Sequence, residues 1–303
     1  MEQKRLIISS GGQMGIAIIG AIRSLERHLN CSKLSERFDS FEGTSAGALV
    51  SFMLSIGFSS FEMLMLYQSM PEIRPDITAI SKNLGLVNLK NIIKKPIENV
   101  LSSHSGFPIN ADELSSITFE ELELRTGKKL VFGITIISPY EDDLGASSDN
   151  CAKWSVFSTL VASMAIPGIF EPVEIDTGPT PPVFAIDGGI SNTFRFPRLL
   201  PTHFENSTTS IVGILLQQET GTTGFKMNTF NPWEYLLFIS SRFFYYLSRS
   251  KRQDYENLPV IIIPCEISNT GIIMKPDTNT FIKLINRGEI ETNNFFSKWS
   301  LSK

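Results

Sequence analysis

Small residues surround a serine in the segment Gly43-Thr44-Ser45-Ala46-Gly47, which matches the pattern G-x-S-x-G. This pattern is typical of a tight turn between a strand and a helix that exposes the serine hydroxyl, because bulkier residues do not fit two positions to either side. An apolar stretch precedes it and a stretch of small residues follows it, as such a turn requires. The segment predicts a nucleophilic Ser45, and an ordinary glycine turn is the alternative.

A second group of glycines lies in Ser10-Gly11-Gly12-Gln13-Met14-Gly15, after the apolar stretch Leu6-Ile7-Ile8-Ser9. Glycines in such a loop let backbone N–H groups approach negative charge closely. One interpretation is an oxyanion hole for acyl transfer. The other is a degenerate dinucleotide-binding loop with Asp39 as the acid that binds the ribose. The loop alone does not decide between the two.

A carboxylate stands at the end of the apolar stretch Phe184-Ala185-Ile186-Asp187 and is followed by Gly188 and Gly189. An aspartate in this place can accept a serine proton as a general base, although Asp-Gly more commonly marks a turn. The dinucleotide interpretation gives Ser45 and Asp187 no role. The three features together therefore favour acyl transfer by a Ser45–Asp187 dyad. The expected oxyanion donors are the backbone N–H groups of Gly11, Gly12, Gln13 and Ala46.

In this combination the chain resembles the patatin-like phospholipase family. The glycine-rich loop, residues 43–47 and residues 187–189 match three signatures of that family in order. Residues 162–172 resemble its A-S-x-A-x-P-x-x-F-x-P segment, and residues 281–288 resemble its closing F-x-x-L-x-x-x-G helix. The resemblance covers most of the chain. It implies a Ser–Asp dyad, no metal or other cofactor, and phospholipid or other acyl-lipid substrates.

Several further positions are expected to support this site. They are Gly43 and Gly47 at the serine turn, Gly15 after the glycine loop, Gly188 and Gly189 after the aspartate, and Pro167 in the proline segment. The glycine loop departs from the family pattern in two places. Ser10 stands where glycine is usual, and Met14 stands where Lys or Arg is common. The missing cation bears on rate and substrate preference, whereas the backbone donors are unaffected.

Three alternatives remain open. The chain contains three histidines, and one of them, His203, follows Asp187 in the order of a Ser-His-Asp esterase. That fold places several strands before its serine turn, whereas only two predicted strands precede Ser45. A dinucleotide-binding protein and a catalytically inert lipid-binding protein are the other two alternatives.

Composition excludes some classes of function. The chain has 31 acidic and 27 basic residues, a net charge of −4, and its basic runs are scattered, so we expect no nucleic-acid partner. The three cysteines are odd in number and lack metal-ligand spacing, so the sequence demands no oxidising compartment. Asp142-Asp143 has no His or Cys nearby to complete a metal site, and we interpret this pair as loop charges.

The location of the protein is expected to be cytoplasmic, with peripheral membrane contact as a further expectation. The start of the chain superficially resembles a signal peptide, but residues 9–13 interrupt its apolar stretch and no A-x-A cleavage site follows. No stretch is apolar for the roughly 18 residues that a membrane span requires. Residues 232–247 predict a strongly aromatic helix, either buried in the core or docked on a lipid surface.

The hydrophobic pattern predicts one α/β domain over residues 1–303, with a mostly parallel central sheet sandwiched by helices. The predicted strands are 6–9, 38–42, 130–137, 154–157, 183–186, 211–216 and 260–263. The predicted helices begin after Gly15 and at Ala46, cover most of 59–104, and close the chain over 281–299. Pro96 is expected to kink or divide its helix. Thr118 opens a capping box for a short helix that ends at Gly127.

Overall fold

The computed structural model of the protein describes a defined part of the chain, namely residues 3–71, 85, 87–103, 106–177, 181–197, 208–219, 239, 255, 257–266 and 277–301. Its strands are β1 (Arg5–Ile8), β2 (Ser40–Thr44), β3 (Lys129–Ser138), β4 (Asp142–Ala146), β5 (Val173–Ile175), β6 (Val183–Asp187), β7 (Thr208–Thr209), β8 (Ile211–Glu219), β9 (Val260–Glu266) and β10 (Ser300–Leu301). Its α-helices are α1 (Gly15–His28), α2 (Ala46–Ser55), α3 (Ser60–Ser69), α4 (Leu89–Ser103), α5 (Phe119–Thr126), α6 (Ser148–Cys151), α7 (Val156–Ser163) and α8 (Thr278–Phe296).

Eight strands form the central sheet, in the order β5-β6-β3-β2-β1-β8-β9, with β4 also paired to β3. The pairs β1–β2, β1–β8, β2–β3 and β8–β9 are parallel, whereas β3–β4, β3–β6 and β5–β6 are antiparallel. The mostly parallel sheet predicted from the sequence is therefore confirmed, in a mixed form. Because β1 and β2 run in the same direction, the glycine loop and the Ser45 turn leave the same edge of the sheet.

Alternating strand residues point to opposite faces of the sheet, and each face has its own core. On one face, Leu6, Ile8, Phe41 and Phe132 belong to the main buried cluster together with helix residues such as Phe52. On the other face, a smaller buried cluster joins Ile7, Phe194, Phe196, Leu215 and Tyr255. Burial on both faces explains why Leu6, Ile7 and Ile8 are apolar without alternation.

Local capping signals place one predicted helix accurately. The Thr118 side chain accepts a hydrogen bond from the Glu121 backbone N–H, and the Glu121 side chain accepts one from the Thr118 N–H. The helix ends at Gly127, which has the left-handed conformation with φ of 64°. Pro96 does not divide its helix, because α4 continues through it from Leu89 to Ser103.

Two expectations for secondary structure are wrong. Residues 154–157 do not form a strand: the side chain of Ser155 caps the first turn of α7, and Val156 and Phe157 belong to that helix. Four consecutive residues are too few to separate the two periodicities, so the cap decides. Asp142 and Asp143 are not loop charges, because they begin β4. A strand this polar can form because its first two residues are exposed.

Several sequence features lie outside the described residues. They are His104, His203 and almost all of the aromatic segment 232–247. Among the helices that the structure describes, none is both long and apolar enough to cross a membrane.

Two glycines allow α1 and α8 to cross at backbone contact. A Cβ on Gly20 would lie 2.1 Å from the carbonyl oxygen of Ile285, and a Cβ on Gly288 would lie 2.0 Å from that of Ala17. Atoms cannot approach so closely, so any side chain at either position must push the helices apart. This contact explains the glycine that ends the F-x-x-L-x-x-x-G pattern.

Gly288→Val is therefore expected to destabilise the protein by about 3 kcal/mol, at the upper end of the usual cost of overpacking. This corresponds to a melting temperature lower by roughly 5 °C or more. Differential scanning calorimetry measures the change, and Asn286→Val on the exposed face of the same helix is the matched control. Equal melting temperatures for the two variants would contradict the close crossing.

Candidate active site

The backbone at Ser45 forms a sharp turn between β2 and α2. Ser45 has φ of 56° and ψ of −122°, a strained conformation for a residue with a side chain. A Cβ on Gly43 would lie 2.1 Å from the Gly47 carbonyl oxygen, and one on Gly47 would lie 2.5 Å from that of Ser9. Both glycines are therefore required sterically, and the turn has the strand-to-helix context expected from the sequence.

The Ser45 hydroxyl contacts a carboxylate from the far side of β3. Ser45 Oγ donates a hydrogen bond of 2.7 Å to Asp187 Oδ2, although 142 residues separate the two. Ser45 is 5% exposed and Asp187 is fully buried. The structure thus brings together the two residues that the sequence singled out as nucleophile and base.

The two glycines that follow Asp187 have different roles: Gly189 binds its second carboxylate oxygen, and Gly188 packs against β3. Gly189 N–H donates a hydrogen bond of 2.7 Å to Asp187 Oδ1. A Cβ on Gly188 would lie 2.2 Å from the carbonyl oxygen of Gly133 on β3, so this position also requires glycine. Burial raises the pKa of Asp187 to about 7, and the hydrogen bonds from Ser45 and Gly189 oppose that rise.

The glycine loop lies beside the Ser45 turn, since a Cβ on Gly15 would be 3.1 Å from that of Ala46. Its ends are anchored: Ser10 N–H donates to the Thr193 carbonyl at 2.8 Å, and Met14 N–H donates to the Gly11 carbonyl at 3.0 Å. Gly12 has φ of 51°, in the left-handed region. Within the described part of the chain, the backbone N–H groups of residues 11–13 have no recorded acceptor.

A further expected donor is the backbone N–H of Ala46, the first residue of α2. The first N–H groups of an α-helix have no acceptor within the helix. In α2, the Ala48 N–H donates to the Ser45 carbonyl oxygen at 2.9 Å, which leaves the Ala46 N–H as a donor at the serine turn. The glycine loop and the start of α2, which carry the expected oxyanion donors, therefore lie at the same edge of the sheet.

The position of Asp39 argues against the dinucleotide interpretation. Asp39 precedes β2, and its backbone N–H donates to the Lys4 carbonyl at the amino end of β1. The glycine loop follows the carboxyl end of β1, at the opposite edge of the sheet. An acid that binds a ribose would have to follow β2, as in dinucleotide-binding folds.

Comparison with known proteins identifies the family of the chain. The model of the patatin-like phospholipase family matches residues 6–200, more than half of the chain. The chain belongs to this family. Its fold is also that of VipD from Legionella pneumophila, with a TM-score of 0.61 and 16% identity over 98% of this chain and 67% of that one.

Two curated relatives carry names that describe lipid chemistry. The "Probable lipid hydrolase 463L" of Invertebrate iridescent virus 6 is 29% identical over 207 residues, which are 66% of this chain and 64% of that protein. The "cUMP-AMP-activated phospholipase" of Escherichia coli is 29% identical over 99 residues, 32% of this chain and 31% of that protein. This chain thus matches less than two thirds of the length of either relative.

Some residues at the patatin-like site were not assigned a role from the sequence. Ser163 Oγ accepts a hydrogen bond of 3.0 Å from Ser45 N–H, and Ala165 lies in the same segment. Arg195 forms an ion pair with Asp143 and packs over Gly133, where a Cβ would lie 2.6 Å from Arg195 Nε. The only signal for Ser163 was its place in the A-S-x-A-x-P segment.

Pro167 is a further residue that was expected to support the site. Pro167 is exposed in the loop after α7, and among the described residues it forms no hydrogen bond with Ser45 or Asp187. Among the described residues, no group of three or more His, Cys, Asp or Glu side chains is arranged to hold a metal ion. Cys31, Cys151 and Cys265 are free thiols.

Proposed function

We propose that the protein is a lipid acyl hydrolase in which Ser45 is the nucleophile and Asp187 is the general base. The observation that carries this proposal is the 2.7 Å hydrogen bond from Ser45 Oγ to the buried Asp187 carboxylate. Family membership and the names of the two relatives support lipid esters as the substrate class. Phospholipids are the specific substrates that we expect, by phospholipase A or related esterase chemistry.

The proposed reaction passes through an acyl-enzyme. Ser45 Oγ attacks the ester carbonyl carbon while its proton moves to Asp187 Oδ2, and the oxyanion binds to N–H groups of residues 11–13 and of Ala46. Collapse of this intermediate breaks the bond to the leaving alcohol, which takes the proton from Asp187. Water then attacks the acyl-Ser45 carbonyl, again losing its proton to Asp187. Release of the fatty acid returns this proton to Ser45 Oγ.

The direct serine–carboxylate contact favours a dyad over a triad. In a Ser-His-Asp triad the imidazole lies between the serine and the carboxylate, so that the two do not touch. Here the Ser45 hydroxyl is bonded to Asp187 itself, and Gly189 occupies the other carboxylate oxygen. For a histidine to act as the base, its ring nitrogen would have to accept the hydrogen bond that Ser45 Oγ donates to Asp187.

The substrate proposal is tested with phospholipid vesicles and with a soluble p-nitrophenyl ester. We expect fatty acid release from vesicles and hydrolysis of the soluble ester, both lost in Ser45→Ala. Hydrolysis of the soluble ester without release of fatty acid from any vesicle would contradict the lipid substrate but leave the dyad intact. Sedimentation with the vesicles would support peripheral membrane contact, which we propose as a consequence of acting on aggregated lipid.

The rate is expected to rise with pH up to about 7 and then to level off. Only the ionised carboxylate accepts a proton, and burial raises the pKa of Asp187 to about 7, so its base form is lost as the pH falls below that value. Below about pH 7 the rate should fall about tenfold for each pH unit. Measurement of kcat/KM across the range from about pH 5 to 9 checks this, and a flat profile would contradict it.

A histidine base would give a similar fall in rate at low pH, that is, a limb of the pH–rate profile in nearly the same range, because the ordinary histidine pKa is about 6.5. The variant His203→Ala separates the two mechanisms. If Asp187 is the base, the limb stays where it is and the rate stays within roughly threefold of the wild-type rate. If His203 is the base, the rate falls by about 10²- to 10⁴-fold and the limb is lost.

A further inference from the structure

The last residue of α7 and the segment that follows it contact both halves of the proposed dyad. Ser163 Oγ accepts a hydrogen bond of 3.0 Å from Ser45 N–H and donates one of 2.7 Å to the Gly133 carbonyl on β3. Two residues later, the Ala165 carbonyl accepts a hydrogen bond of 2.9 Å from Asp187 N–H. All of these groups are buried. Residues 163–165 therefore bridge the serine turn, the centre of β3 and the end of β6.

The hydroxyl of Ser163 makes one donated and one accepted hydrogen bond in this position. Its proton goes to the Gly133 carbonyl oxygen, which can only accept, and one of its lone pairs accepts from Ser45 N–H. The Ser45 N–H is consequently not available to an oxyanion. The expected oxyanion donors are then the loop residues 11–13 and Ala46, which agrees with the sequence expectation.

The same contacts oppose the strain at the serine turn. Ser45 has a positive φ, and a non-glycine residue keeps that conformation only when its surroundings hold it. A hydrogen bond to Ser45 N–H fixes the peptide that precedes the nucleophile. Because Ser163 is bonded at the same time to β3, it fixes this peptide relative to the strand that separates Ser45 from Asp187.

We propose that Ser163 is a positioning residue that, together with the Ala165 carbonyl, sets the placement of Ser45 Oγ relative to Asp187. This inference rests on the proposed function of the dyad. It gives the A-S-x-A part of residues 162–172 a positioning role: Ser163 holds the nucleophile, and the Ala165 carbonyl holds the base. A shift of about 1 Å in a reacting group can cost around 10²-fold in rate.

The variant Ser163→Ala is expected to lower kcat for a p-nitrophenyl ester by about 10- to 100-fold, with KM within roughly threefold of wild type. A purely structural role would lower the melting temperature without this selective loss of kcat. Ser55→Ala is the matched control, because Ser55 is also buried and donates one hydrogen bond, to the Phe52 carbonyl, at the far end of α2. Its kcat should match wild type at a temperature where both variants are folded.

Ser163→Cys provides a second variant in case the alanine variant does not fold. The thiol fills the space of the hydroxyl but forms only weak hydrogen bonds, so the same selective loss of kcat is expected. A folded Ser163→Ala or Ser163→Cys protein with wild-type kcat would overturn the proposal for Ser163 and leave the dyad standing. A wild-type protein that hydrolyses neither the soluble ester nor phospholipid would overturn the proposed function, and this inference with it.

Discussion

Replacing Ser45 by alanine or Asp187 by asparagine is expected to lower ester hydrolysis by several orders of magnitude. Ser45→Ala removes the nucleophile, and Asp187→Asn removes the acceptor that is hydrogen-bonded to it at 2.7 Å. Residues that act as one unit lose almost the full effect when either is removed, so the double variant should be little slower than each single variant. Initial rates with a p-nitrophenyl ester measure all three. A folded Asp187→Asn protein with more than about a tenth of the wild-type rate would exclude Asp187 as the base.

The pH dependence of stability in Asp187→Asn, compared with that of the wild type, shows whether the variant is correctly folded. Burial raises the pKa of Asp187 from 3.8 to about 7, so the folded protein holds a proton that the unfolded chain loses in this range. The wild-type protein therefore loses stability as the pH rises from about 4 to about 7, whereas the asparagine variant does not. We expect the variant to become relatively more stable across that window, as measured by urea denaturation. An inactive variant that is also less stable at pH 8 would indicate misfolding.

Gly12→Ala is expected to reduce turnover by about 10²-fold, comparable to the loss of one oxyanion donor. Gly12 has φ of 51°, a conformation that disfavours alanine, so the substitution turns the peptide groups of the loop away from their present directions. The soluble ester is the appropriate substrate, because it reports the chemical step without binding to vesicles.

Gly127→Ala is the matched control for this loop variant. Gly127 also has a positive φ, of 64°, and a Cβ there would meet no atom within 4 Å, but it lies at the end of α5 and not at the candidate site. It should lose a similar amount of stability and keep its rate. If Gly12→Ala and Gly127→Ala had equal turnover, the glycine loop would have no part in stabilising the oxyanion.

The sequence predicted those parts of the fold that short-range chemistry controls. The capping box at Thr118 with Gly127, and the glycines around Ser45, impose their conformations through atoms a few residues away. Residues 154–157 were assigned wrongly because a short apolar stretch fits a strand and a buried helix equally well. The strand β4 was missed because Asp142 and Asp143 are polar, and its pairing with β3 compensates for the poor propensity of these residues.

The site was predictable as a set of residues but not as a geometry. Ser45 and Asp187 each carry a local pattern, and their chemistry fits one reaction. The contact between them depends on β3, which places the end of β6 one strand away from the Ser45 turn. For Ser163 the sequence offers its place in the A-S-x-A-x-P segment, which does not indicate its hydrogen-bond partners. Its role depends on hydrogen bonds to Ser45 and Gly133 across long stretches of sequence.

Labelling with a fluorophosphonate probe tests the central claim most directly, because the probe reacts with an activated serine and leaves a covalent adduct that peptide mapping by mass spectrometry can locate. The account predicts one adduct per chain, on Ser45, that is absent in Ser45→Ala and forms far more slowly in Asp187→Asn. Ser55→Ala should be labelled at the wild-type rate. A wild-type protein that stays unlabelled, or one labelled at another residue equally fast in Ser45→Ala, would contradict a Ser45–Asp187 acyl hydrolase.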